Sequence, residues 1–141
     1  MSSTYIGVAL SFCLFLSFMV PVSAQQDCSL GIGVTETEII VQVFQLRPDQ
    51  KVKLEEFRTA LAKEIQLVDE ERRTLFSTHP QTSPEDLTSL GAKHTVLEDR
   101  IKDLSREYDH KLLALFNEKQ YGRYVSLCKE VSRRPLSATP L

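Results

Sequence analysis

The chain has 141 residues, 42% of them hydrophobic and 26% charged, with a formal net charge of −2 and no Trp. That length suits one domain, and the balance of acid and base gives nucleic acid no support as a partner. Many Leu, Glu, Lys and Arg with little Gly favour helices over sheets.

The first stretch reads as a leader. Ile6 to Val20 is a nearly unbroken apolar run, and Val22-Ser23-Ala24 places small residues where a signal peptidase cuts. No Lys or Arg precedes the run. About 15 apolar residues fall short of the ~20 that span a bilayer, so residues 1–24 are expected to leave as a signal peptide, with no stable membrane anchor remaining. Asp27 stands before Cys28 where lipoprotein signals carry a small residue, which argues against a lipid anchor. Export to the periplasm follows, or secretion if the source is not a Gram-negative bacterium. Cys13 leaves with the leader, and Cys28 and Cys128 remain. Two thiols in an oxidising compartment pair, within one chain or like with like across a dimer, and the rival is two free thiols. A loop of about 100 residues is worth ~4.7 kcal/mol in the chain-entropy model.

Gln25 to Val34 is an irregular lead-in, loosened by Gly31 and Gly33. Thr35 opens a capping-box pattern with Glu38, and Ile39, Ile40, Val43 and Phe44 share one helical face, giving a short helix to about Leu46. A strand is the rival reading, disfavoured because the chain offers no second strand to pair with. Leu46-Arg47-Pro48-Asp49-Gln50 starts the next helix. Pro48 takes the first helical position, Asp49 faces the dipole, and Gln50 reaches back to the backbone at position 47. Leu54, Phe57, Leu61, Ile65, Val68 and Leu75 form its seam as far as Thr78. Arg72 interrupts that seam, which implies a hairpin that opens or meets solvent near its tip.

His79 to Pro84 is a turn, since two prolines and small polar residues cannot continue a helix. Ser83 caps the third helix, which runs to Phe116 on a seam of Leu87, Leu90, His94, Leu97, Ile101, Leu104, Tyr108, Leu112 and Leu115. At about 1.5 Å per residue it needs an equally long antiparallel partner, which only Pro48–Thr78 supplies. Asn117 then caps a fourth helix, with Gln120 closing its capping box. Tyr121, Tyr124, Val125, Cys128 and Val131 form its apolar face, and Pro135 ends it. The expected organisation is a signal peptide over 1–24, an all-α domain of four helices over 25–134, and a disordered tail over 135–141 that includes Pro140.

Chemistry has few candidates. The histidines are His79 in the turn, His94 as a hydrogen-bonded core residue on the seam, and His110 off the seam and solvated. No nucleophile motif or glycine-rich loop accompanies them, and the carboxylates interleave with Lys and Arg as on an ordinary solvated helix face. An enzyme is not expected. Asp103, Glu107 and His110 have metal-ligand spacing on one helix, but such spacings recur by chance in charged helices, so no metal and no other cofactor is assigned. Beyond the seams, Val52, Ala60, Ala62, Leu67, Phe76, Val96, Leu113 and Ala114 add apolar surface that a second copy of the chain would bury, making a homodimer.

Leu46-Arg47-Pro48-Asp49-Gln50 and Phe116-Asn117-Glu118-Lys119-Gln120 resemble paired, degenerate copies of the Leu-Thr-x-x-Gln signature of the Spy/CpxP-like periplasmic family. Leu46, Gln50 and Gln120 match it; Arg47 and Asn117 replace the threonines, and Phe116 the second leucine. The resemblance spans Thr35 to Val131. It implies a cradle-shaped dimer that holds unfolded client proteins without ATP. Its alternative is a dedicated envelope-stress adaptor that binds one envelope partner, such as a sensor domain. A branch of the family binds metals through His- or Met-rich segments, which this chain lacks.

Overall fold

The computed structural model describes residues 26–138; the expected leader 1–24 with Cys13, and the last residues of the tail with Pro140, lie outside the described residues. The body is α1 (Thr37–Phe44), α2 (Pro48–Thr78), α3 (Pro84–Leu113) and α4 (Glu118–Glu130). Two dipeptides, β1 (Asp27–Cys28) and β2 (Arg134–Pro135), pair in parallel and bring the two ends of the described chain together. The class is all-α, as expected, but the lead-in does find a strand partner, supplied from beyond α4.

The long hairpin forms as its seams and caps dictate. Ser83 Oγ accepts from Asp86 N at 3.1 Å, and the Asp86 carboxylate accepts from the Ser83 and Thr82 amides. Partners then step down α3 as they step up α2: Tyr108 with Glu64, Arg100 with Glu71, Glu98 with Arg72. That order makes the helices antiparallel. Arg72 closes the hairpin rather than opening it, because its guanidinium reaches Glu98 across the seam at 2.8 Å and Asp69 on its own helix at 2.7 Å.

The core is concentrated at the base. Leu54 and Leu61 of α2, Leu112 and Leu113 of α3, Ile40 of α1 and Tyr124 of α4 are fully enclosed together with Ile32 of the lead-in. Leu113, read from sequence as surplus surface, is core, because the lead-in and α4 add a third layer there. Towards the tip the hairpin has only two layers, so Leu97 and Ile101 are half-buried and Leu87 is exposed.

Four boundaries differ from expectation. α1 begins at Thr37 without a side-chain cap, since the Thr35 hydroxyl is used instead on the Leu30 carbonyl at 3.3 Å. Ile39 is exposed, because this short helix buries only the stripe of Ile40 and Phe44. α3 stops at Leu113 and passes through a tight turn to Phe116. α4 ends at Glu130, which leaves Val131 exposed rather than on the buried face. The expected loose tail is also ordered through Leu136: its amide donates to the Tyr124 hydroxyl and its carbonyl accepts from Tyr121, each at 2.9 Å, and its side chain is buried.

Candidate functional site

The two motif copies meet. Gln50 and Gln120, 1% and 6% exposed, form a reciprocal amide pair in which each Nε2 donates to the other's Oε1 at 2.9 Å. Each Oε1 also accepts from its own helix start, Arg47 N for Gln50 and Asn117 N for Gln120, both at 2.9 Å. The second hydrogen of each Nε2 goes to the chain just ahead of the other motif: Gln50 to Leu115 O at 2.6 Å, and Gln120 to Phe44 O at 3.1 Å and Gln45 O at 3.4 Å. Backbone amides can only donate and carbonyls only accept, so this pattern fixes which amide atom is oxygen. Every donor and acceptor of both side chains is used, as burial of polar groups demands.

The other motif residues frame the pair. Leu46 is buried, Pro48 takes the first turn of α2, and Asp49 stays at the surface, where the Arg47 guanidinium holds its carboxyl below the usual range. Asn117 caps α4 by accepting from Gln120 N at 2.9 Å. Phe116 packs against Phe44 with ring centroids 5.0 Å apart and the rings tilted by 42°. The two glutamines thus form a lock that joins the starts of α2 and α4 to the ends of α1 and α3.

Cys28 and Cys128 form an intrachain disulfide, with Cα atoms 5.6 Å apart. Beside it lies the centre that sequence reading missed. Asp109, 1% exposed, receives four donors from the lead-in: Ser29 Oγ at 2.7 Å, Leu30 N at 2.8 Å, Gly31 N at 3.3 Å and Ile32 N at 3.1 Å. Gly31 has φ 68°, the left-handed conformation that lets successive amides converge on one carboxylate. Arg58 of α2 grips the same segment from the other side, donating to Ile32 O at 2.7 Å and Thr35 O at 2.6 Å. The only trace of Asp109 in the sequence is an acid one step past the seam residue Tyr108, among other charged residues. Its partners are amides almost eighty positions away, which no local pattern reveals.

The histidines are placed differently from expectation. His110 is buried, 8% exposed, with Nδ1 2.9 Å from Ser137 O, because the ordered tail folds over it. His94 is half-exposed rather than core, 3.4 Å from Glu98 and edge-on to Phe76. His79 lies in the turn, with Nδ1 2.8 Å from Pro80 O and Nε2 3.3 Å from Ser89 Oγ. Among the described residues no three His, Cys, Asp or Glu side chains gather as a metal site. Glu107 turns to Lys111 and Asp103 to Arg106, so the helical spacing does not become a ligand set.

Along the hairpin, Val52, Leu67 and Phe76 on α2 and Leu87 and Val96 on α3 are exposed. Charges of both signs stand among them, including the pairs Lys53–Glu56 and Arg100–Glu71. No helix among the described residues is long and apolar enough to cross a membrane. Comparison with family models, with curated proteins and with solved structures finds no match.

Proposed function

We propose that this chain is an exported, ATP-independent chaperone of Spy/CpxP-like type, which acts in the periplasm as a homodimer and holds unfolded proteins on its α2–α3 hairpin. One observation carries the reading. The distal hairpin is a rod of two layers whose faces present isolated large apolar side chains among charges of both signs. Such a surface binds varied apolar segments weakly and without shape complementarity, while the charges keep the rod soluble. The Gln50–Gln120 lock supports the frame and leaves the rod free to bind.

Light scattering from several unrelated denaturing proteins tests this. Protection of all of them, unchanged by nucleotide, is the expected result. Protection that requires ATP overturns it, and protection of one protein alone points to the dedicated adaptor. Sedimentation at micromolar concentration tests the dimer, and a compact monomer rejects it.

A further inference from the structure

Residues 28–32 lie on the base of the hairpin as a bound peptide lies in a groove. Their polar contacts are made almost wholly through the backbone. The amides of Leu30, Gly31 and Ile32 donate to Asp109, the Cys28 carbonyl accepts from the Tyr124 hydroxyl, and the Ile32 carbonyl accepts from Arg58. Leu30 and Ile32 enter the core, Ser29 turns its hydroxyl to Asp109, and Gly31 and Gly33 carry no side chain. Backbone reading with pockets for side chains is how proteins accept peptide segments in trans.

We propose that this groove, built from Asp109, Arg58, Tyr124 and the apolar base of α2 and α3, is a binding site for segments of the pattern aliphatic–Gly–aliphatic that bend at the glycine. The chain's own Leu30-Gly31-Ile32 is its resident occupant, tethered by Cys28–Cys128. Glycine is required in the middle by the bend of the segment itself: φ is positive there, and a Cβ on Gly31 would lie 2.7 Å from Thr35 Oγ1 of the same segment. An occupant is required, because among the described residues all hydrogen bonds to the Asp109 carboxylate come from residues 29–32, and a buried charge stripped of donors is strongly disfavoured. Beside the strap a crevice of about 380 Å³ runs between strap residues 26–34 and Ile101, Lys102 and Arg106 of α3. The resident segment is held at one end by its continuity with α1 and at the other by the bridge, so a segment from another chain gains access when the bridge opens and leaves one end free. A dithiol opens it by exchange: the dithiol is oxidised to a disulfide, and Cys28 and Cys128 are reduced, each taking up one proton. The inference concerns a site apart from the distal hairpin faces and does not rest on the chaperone reading.

The test uses the mature chain carrying Cys28→Ser and Ile32→Asp, which unties and unseats the strap. The probe is a fluorescein-labelled peptide spanning Gln26–Glu36 with Cys28→Ser. In anisotropy titrations it is expected to bind this variant saturably, to bind at least tenfold more weakly when Asp109→Asn is added to the protein or Gly31→Val to the peptide, and not to bind the oxidised wild type. Equal binding of the Gly31→Val peptide, equal binding to oxidised wild type, or no binding to the helical variant overturns the proposal. Should circular dichroism show the variant unfolded, hydrogen exchange on dithiothreitol-reduced wild type decides. The Leu30, Gly31 and Ile32 amides are then expected to exchange at least tenfold faster than in the oxidised protein, and faster still with excess peptide but not with its Gly31→Val form. Rates unaffected by reduction, or by peptide, overturn it.

Discussion

Gln50 and Gln120 face each other across 2.9 Å in two opposed amide hydrogen bonds, with no hydrogen-bonding atom of either side chain left over. Each is also the third residue of a helix and closes that helix's own capping box. One side-chain type at one spacing therefore does two tasks, local and long-range, and does them twice in the same chain.

Truncating either glutamine should expose the cost of the lock. Gln50→Ala and Gln120→Ala each strand buried partners and are expected to destabilise by about 2–3 kcal/mol. The double variant should cost clearly less than the sum, because the second truncation removes a group already left unpaired. Urea unfolding of the three variants measures this, and additive effects would deny the coupling.

Asp109→Asn keeps the shape but loses the charge that gathers three amides and a hydroxyl. A loss of about 2–4 kcal/mol is expected, with hydrogen exchange of Leu30 and Ile32 accelerated before that of α2 or α3.

Reduction of Cys28–Cys128 should lower stability by up to ~4.7 kcal/mol on the chain-entropy argument while far-ultraviolet circular dichroism still reports the long helices. The bridge ties only the lead-in to α4, and the hairpin has its own seam. Loss of most helicity on reduction would contradict this.

Position along the seam should grade the effect of a buried charge. Leu61→Asp, in the enclosed base, is expected to unfold the chain, whereas Leu97→Asp, half-buried in the distal rod, should cost about 1–2 kcal/mol. Sequence periodicity alone treats the two alike, and denaturant midpoints separate them.

Alkaline pH supplies a further check. Tyr108 donates to the Glu64 carboxylate at 2.6 Å, and that partner pushes its ionisation up to about 12; burial raises Tyr124 to about 12 as well. The unfolded chain ionises these phenols near ~10, so it loses their protons first. The stability they contribute is fully present below pH ~10 and falls as pH rises to ~12. Absorbance at 295 nm should show two late phenols in the folded protein, and Tyr108→Phe should remove one of them.

The sequence by itself determined the four helices, the starts of the long ones, the turn between them, the inward-facing Cys128 and the local bond from Gln50 to its own helix start. Each of these depends on residues within about one helical turn, where proline geometry, capping chemistry and the 3.6-residue period act directly. Tertiary structure alone decided what those residues meet. The partners of Asp109 and Arg58 are backbone groups of the lead-in, which present no side-chain pattern to read. The burial of His110 and Leu113, and the ordering of Leu136, depend on a third layer laid down by segments from both ends of the chain. The two glutamines face each other only because the antiparallel hairpin returns residue 115 to the level of residue 50. Their spacing in sequence is set by the length of two helices, and the contact between them by how those helices pack.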